Sequence, residues 1–272
     1  NHIMDQGRQG LVSTLQVLDD NRIEHLGAGM NIEQAQKSVV VNIKGRKIGV
    51  YACAEHEFSI ASEKKAGANP FDPLESFDHV KQLKNESEFV IVLYHGGKEH
   101  YQFPSPMLQR VCRKNIEKGA DLVICQHSHC IGCEEKYHNA TIVYGQGNFL
   151  FDSCSGPYVQ SSLVVELKDD LTVDYIPLVK CNGGVRLAVG EVAEGIMKDF
   201  AQRGTLIKQP AFIEEEYKKF AQKMLKGYLL MCSGYFHRRL LRLVDKLTMH
   251  KLHFFKEFGY TTSEKNALRN YI

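Results

Sequence analysis

Three times between residues 89 and 152, an apolar run gives way at once to a cluster of imidazole, carboxylate and amide side chains. Phe89-Val-Ile-Val-Leu-Tyr94 leads into His95-Gly-Gly-Lys-Glu99, and Asp121-Leu-Val-Ile-Cys125 leads into Gln126-His127-Ser128-His129. Thr141-Ile-Val-Tyr144 leads into Gly145-Gln-Gly147-Asn148-Phe149. Imidazole nitrogen suits Zn, Mn or Fe, and a neighbouring carboxylate can ligate, orient a ligand or act as a base. Two ions held by such groups polarise a phosphoryl or carbonyl oxygen, generate hydroxide near neutral pH and stabilise the leaving oxygen. The chemistry this pattern points to is metal-assisted hydrolysis.

Each cluster has a competing reading. His95 is followed by Gly96-Gly97, which leaves its ring little steric cover, yet His95 and Glu99 taken alone also fit a solvated surface loop. In His127-Ser128-His129 a turn at the strand end lets both rings bracket a metal pair. The competing reading is a chance pairing among 12 His. Asn1-His2, with Asp5 and Gly7, offers a hard amide oxygen and a proton donor for a leaving group. The alternative there is an expression scar. Gly147 permits close backbone approach and Asn148 can position an anion or a water; the competing reading is a turn between strands.

The elements that must position these groups follow from periodicity. Gln9–Asn21 reads as an amphipathic helix with Leu11, Leu15 and Leu18 on one stripe. Ile23–Gly29 reads as a short strand entering the turn Gly27-Ala28-Gly29. Residues 39–43 and 47–53 read as a hairpin turning at Lys44-Gly45. Leu74–Lys84 is a helix with Phe77, Val80 and Leu83 in phase, and a further helix runs to Lys118 with Gly119 as its cap. Strands are expected at 89–94, 121–126 and 141–144, and a second hairpin at 161–167 and 171–179. Strand–helix–strand units mixed with hairpins imply a mixed sheet layered with helices. Polar and amide groups just past the carboxyl ends of such strands converge on the rim where open α/β sheets bind ligands.

After about residue 195 the period changes. Ile213, Tyr217, Phe220, Met224, Tyr228 and Met231 form one helical stripe, and Phe236, Leu240, Val244 and Leu247 a second. His237, His250 and His253 in this tail read as surface or partly buried residues. Residues 201–272 carry 14 Lys and Arg against 6 Asp and Glu, whereas residues 1–200 carry 20 against 26. We therefore divide the chain into a domain over residues 1–200 and a basic helical extension over 201–272. Its Tyr and Phe fall on the apolar stripe, so packing explains them better than nucleic acid, and no nucleic-acid partner is expected.

The 272 residues can bury one large core, and no apolar stretch approaches the ~18 residues that span a bilayer. Eight Cys, several in apolar contexts, read as small buried groups in a reducing compartment, and Cys130-x-x-Cys133 lacks a second pair. A cytoplasmic location is expected. The chain opens Asn1-His2-Ile3-Met4 without an initiator Met, so preceding residues, with any targeting signal, are expected upstream. No Walker-type, G-x-G-x-x-G or G-x-S-x-G signature appears.

The clusters together resemble the CapA family of bacterial poly-γ-glutamate capsule synthesis, a branch of the calcineurin-like metallophosphoesterases. The resemblance runs through Asn1-His2-Ile-Met-Asp5-Gln-Gly7, Gly27-Ala-Gly29, His95-Gly-Gly97-Lys-Glu99, Gly119-Ala-Asp121 through His127-Ser-His129, and Tyr144-Gly-Gln-Gly147-Asn148-Phe149. It covers residues 1 to about 152 and implies a four-layer α-β-β-α sandwich, lacking its first strand, with two divalent ions (Mn, Fe or Zn) on the rim. By that analogy Asn1, His95 and His127 would share one ion and His129 would serve the other. His2 would lie near the leaving group and Glu99 would be a ligand or stand just behind one. Gly97 and Asn148 would face substrate.

Two departures are visible. The family's opening strand and its acidic metal-bridging motif stand upstream of Asn-His and are absent here. The Gly-His that usually precedes His-x-His is replaced by Cys125-Gln126.

The expected function is a metal-dependent hydrolase of a phosphoester or amide-like bond. Its substrate would be a polyanionic or phosphorylated small molecule or polymer, within capsule or poly-γ-glutamate metabolism. The rival is a non-catalytic accessory protein of a polymer-synthesis complex, docking through the basic C-terminal helices.

Overall fold

A computed structural model describes residues 1–55, 59–151, 156 and 158–232. The chain opens on a 3-10 turn, His2–Met4, followed by helix α1 (Gly7–Asp20). The expected strand at 23–29 contracts to β1 (Ala28–Gly29), and Ile23 is exposed. Helix α2 (Ile32–Ala35) is capped by the Asn31 side chain, which accepts from the Gln34 N–H at 3.0 Å. Strands β2 (Val39–Ile43) and β3 (Arg46–Ala54) form the expected hairpin. Lys44 and Gly45 both have positive φ, 51° and 84°, the geometry that suits a two-residue hairpin turn. Strand β4 (Gly67–Ala68) pairs with β1.

Helix α3 (Ser76–Glu86) leads to β5 (Phe89–His95), and α4 (Pro106–Glu117) to β6 (Leu122–Gln126). The start of α4 is set by Ser105, whose hydroxyl accepts from the Leu108 N–H at 3.1 Å, and by Pro106 in the first turn. Then come β7 (Glu134–Tyr137), β8 (Ala140–Val143), β9 (Ser161–Leu167), β10 (Val173–Cys181) and β11 (Gly184–Leu187). Helices α5 (Gly190–Leu206) and α6 (Phe212–Cys232) follow.

Six strands make one mixed sheet in the order β2-β3-β5-β6-β8-β7. Its four central strands are parallel, and β2 and β7 are antiparallel edges. Strands β11, β10 and β9 make a separate antiparallel sheet.

Side chains of the large sheet alternate between two cores. Val90, Val92, Tyr94, Val123, Cys125 and Ile142 meet Val80, Leu83, Leu108 and Cys112 of α3 and α4. Phe89, Leu122, Ile124 and Val143 point the other way, onto Leu163 of the small sheet and Phe200 of α5. Both faces are covered, which is why these strands read as unbroken apolar runs. The protein is a layered mixed α/β fold, as expected.

The chain divides into two compact units, Asn1–Glu214 and Glu215–Ile272. Sequence periodicity set its boundary at residue 200, but Ile207 and Ile213 are buried in the helix-side core of the first unit. The second helical stripe, with Phe236, Leu240, Val244 and Leu247, and His237, His250 and His253, lies outside the described residues. Among the described residues no helix is long and apolar enough to cross a membrane.

Candidate metal centre

The parallel strands bring the three expected clusters to one edge. His95 is the last residue of β5 and pairs in register with Ala54 of β3 and Gln126 of β6. The next residue after Gln126 is His127, and its ring lies edge-on to that of His95 at 5.2 Å between centroids. Asn1 arrives from the other end of the chain, its amide Nδ2 standing 3.4 Å from His127 Nδ1. The His129 ring lies 6.2 Å from that of His127. His129 Nδ1 is 2.9 Å from Asn148 Oδ1, and its ring lies 5.0 Å from Phe151.

The turn carrying His127 and His129 is held in a costly backbone. His127 has φ of 107° and His129 of 55°, both in the left-handed region that favours glycine. Such residues cost about 1–3 kcal/mol each and persist only where their surroundings fix them. Gln126 Nε2 donates to Gln146 Oε1 at 2.7 Å, and Gln146 Nε2 donates to the Leu163 carbonyl. Gly132 N–H donates to the Gly145 carbonyl at 3.0 Å, and Arg203 of α5 donates to the Gly132 carbonyl at 2.7 Å. Gln126, which stands where the resembling family has another residue, is thus part of the clamp. Gly147 sits so close to β9 that an added Cβ would fall 2.6 Å from the Ser161 carbonyl oxygen.

The remaining expected residues are placed as follows. His2 Nδ1 pairs with Asp5 Oδ2 at 2.9 Å, and both side chains are exposed. Gly97 is buried with φ of 126°. Glu99 is exposed, and no hydrogen bond or ion pair among the described residues joins it to the imidazoles. Asn148 Nδ2 is buried without a hydrogen-bond partner among the described residues.

Two neighbours escaped sequence reading. Glu55 follows β3 and donates its N–H to the His95 carbonyl at 2.9 Å. Its side chain lies over Gly96, where an added Cβ would fall 2.5 Å from Glu55 Cγ. Burial, and next the Glu55 charge, hold the Tyr94 hydroxyl far above its ordinary range. The signal that marked the other clusters, polar residues after an apolar run, was present at 47–55 as well. His100 is the second; its ring lies 6.1 Å from His129 and its N–H donates to the Ser128 carbonyl at 2.8 Å.

The donor set fits a borderline divalent cation. Two donors each about 2.1 Å from one ion stand about 3.0–3.5 Å apart at tetrahedral or octahedral angles. The Asn1–His127 separation falls within that range, and a half-turn of the amide would present its oxygen. Among the described residues, however, no three His, Cys, Asp or Glu side chains surround a common point.

Fold and rim together define a layered mixed α/β protein whose parallel strand ends gather imidazole and amide groups on one rim. Residues 1–153 match the model of the family described as bacterial capsule synthesis protein PGA_cap, and the chain belongs to that family.

It is 27% identical over 187 residues to the capsule biosynthesis protein CapA of Bacillus anthracis, covering 65% of this chain and 46% of that one. It is 28% identical over 156 residues to the PGA biosynthesis protein CapA of Bacillus subtilis, covering 56% of this chain and 41% of that one. It is also 27% identical over 165 residues to a probable polyglutamine synthesis accessory protein of Mycobacterium tuberculosis, covering 56% and 43%. The chain spans less than half the length of these curated relatives.

Proposed function

We propose that this chain carries the metal centre of a hydrolase that cleaves a phosphoester or amide-like bond in capsule or poly-γ-glutamate metabolism. The observation that carries the reading is the meeting of Asn1, His95 and His127 at one sheet edge, from parts of the chain up to 126 positions apart. Bound divalent ions would supply Lewis acidity and a hydroxide nucleophile near neutral pH. Asn1, His95 and His127 would hold one ion and His129 the other. Asp5 orients His2, so that the ring can pass a proton to a leaving group. Gly97 and Asn148 line the substrate side, where a phosphoryl or carboxylate oxygen of a polyanionic substrate is received.

The test is turnover of a generic phosphodiester with Mn²⁺, comparing the parent chain with His127→Ala and His129→Ala. Each substitution is expected to lower kcat by at least about 100-fold, the scale of losing a transition-state electrostatic contact. Activity that survives both would end this reading.

A second reading has its own support. The described residues gather no three His, Cys, Asp or Glu around one point, and the mycobacterial relative is named an accessory protein. In that reading the chain is a non-catalytic member of a polymer-synthesis complex, docking through its basic C-terminal helices. Failure of the intact chain to take up Mn²⁺, Fe²⁺ or Zn²⁺ in metal analysis would favour it.

A further inference from the structure

We propose that Asn148 is a positioning residue that fixes the tautomer of His129, an inference that rests on the reading of the rim as a metal centre. A neutral imidazole has one N–H and one lone pair. Asn148 Oδ1 can only accept, and it stands 2.9 Å from His129 Nδ1. With the Asn148 amide in this orientation the proton belongs on Nδ1, and Nε2 is the ring atom left with a lone pair for a ligand. The Phe151 ring, 5.0 Å away at 47°, packs against the imidazole and holds its plane.

The backbone places Asn148 for this task. Gly147, with φ of 76° and lying against Ser161, sets the chain entering Asn148. The isolated bridge between Gly147 and Ser162 ties the same turn to β9. On the other side the bridge between Ile131 and Gln146 fixes the loop that carries His129. The Asn148 turn is thus tied to β9, and the loop carrying His129 is tied to that same turn. With Oδ1 engaged, the amide nitrogen is buried and unbonded among the described residues. A buried donor without a partner costs about 1–3 kcal/mol. An acceptor oxygen of a ligand seated beside His129 would satisfy it. One amide then does two things: it sets which ring nitrogen binds and it meets the bound molecule.

The experiment reads the tautomer directly in the metal-free chain. Long-range ¹H–¹⁵N correlation at about pH 8, where an ordinary imidazole is neutral, distinguishes Nδ1–H from Nε2–H rings. His129 is assigned by its disappearance in His129→Gln. The expected result is an Nδ1–H ring for His129 in the parent chain and in Asn148→Asp, which keeps an acceptor. Asn148→Leu is expected to release the ring to the Nε2–H form and to weaken Zn²⁺ binding by about 10- to 100-fold, the usual effect of losing a ligand's outer partner. Asn148→Asp is expected to bind Zn²⁺ at least as tightly as the parent, since a carboxylate keeps the acceptor and makes the ring a stronger ligand.

An Nε2–H ring in the parent chain, or an unchanged ring in a folded Asn148→Leu, overturns the proposal. Because the tautomer is read without metal, an Nδ1–H ring in a chain that never binds metal would sink the hydrolase reading and leave this assignment standing.

Discussion

His127 and His129 pay for their position in backbone strain, and that strain can be measured apart from any metal. At an ordinary site, Ala is more stable than Gly because Gly has more freedom to lose on folding. At φ of 107° the order reverses, since a Cβ is strained there and glycine is not. His127→Gly is therefore expected to be more stable than His127→Ala by ~1 kcal/mol, read from urea unfolding of the metal-free proteins. Equal stabilities would mean that the turn relaxes once the imidazole is gone. The residue types at this turn were legible in the sequence, because an H-x-H pair after four apolar residues is uncommon. The residues that hold the turn were not. Arg203 reaches Gly132 across 71 positions and Gln126 reaches Gln146 across 20, and neither pattern has a local signature. Glu135 is similar: buried in β7, it accepts from Arg113 and from the Tyr144 hydroxyl, and so anchors the strand end that leads to Asn148.

At the scale of elements, the strands with two covered faces were legible and the polar edges were not. β5, β6 and β8 are apolar runs because α3 and α4 lie on one side and the small sheet on the other. β7 reads Glu-Glu-Lys-Tyr and β11 reads Gly-Val-Arg-Leu; both sit at sheet edges, where pairing needs no apolar period. The helix-facing core has an unusual consequence. It buries Cys53, Cys112, Cys125 and Cys133, with Cys112 and Cys125 sulfurs 3.5 Å apart. Burial pushes Cys53, Cys112 and Cys133 above the ordinary thiol value, and raises Cys130 to about 11. Tyr51, on the same face, is pushed up to about 12, again chiefly by burial.

The sign follows from which state holds the proton. In the unfolded chain these thiols ionise near pH 9, whereas in the fold Cys130 holds its proton to about 11. Stability is therefore complete below pH 9 and is lost as pH climbs through 11, at ~1.4 kcal/mol per pH unit for each buried thiol. Urea midpoints in reducing buffer should be flat up to about pH 9 and fall steeply beyond it. A flat profile to about pH 11 would mean that the thiols reach water in the fold.

On the scale of the whole molecule, the question is where the part that carries the rim ends. The basic balance of residues 201–272 pointed to a separate tail, and charge is a sound guide to surfaces but not to cores. Residues 207–213 belong with the first unit because Ile207 and Ile213 are buried there and Phe212 packs edge-on to Phe103 at 5.1 Å between centroids. A chain ending at Glu214 keeps all of these contacts. It is expected to unfold cooperatively, at a midpoint close to that of the parent, and to bind Zn²⁺ at the rim about as tightly as the parent, since every rim residue among the described residues precedes that point.

A chain ending at Leu206 loses two buried isoleucines and a partly buried phenylalanine. Burial of such side chains stabilises by about 1.5–3 kcal/mol each. The shorter chain should therefore lose roughly 3–6 kcal/mol, a large share of what holds a domain of this size together. The comparison also bears on the accessory reading. If partner binding disappears at the Glu214 cut while folding and metal uptake persist, docking resides in the second unit and chemistry in the first. If the Glu214 chain fails to fold, the two units are energetically one, and the division between a catalytic body and a docking tail has no physical basis.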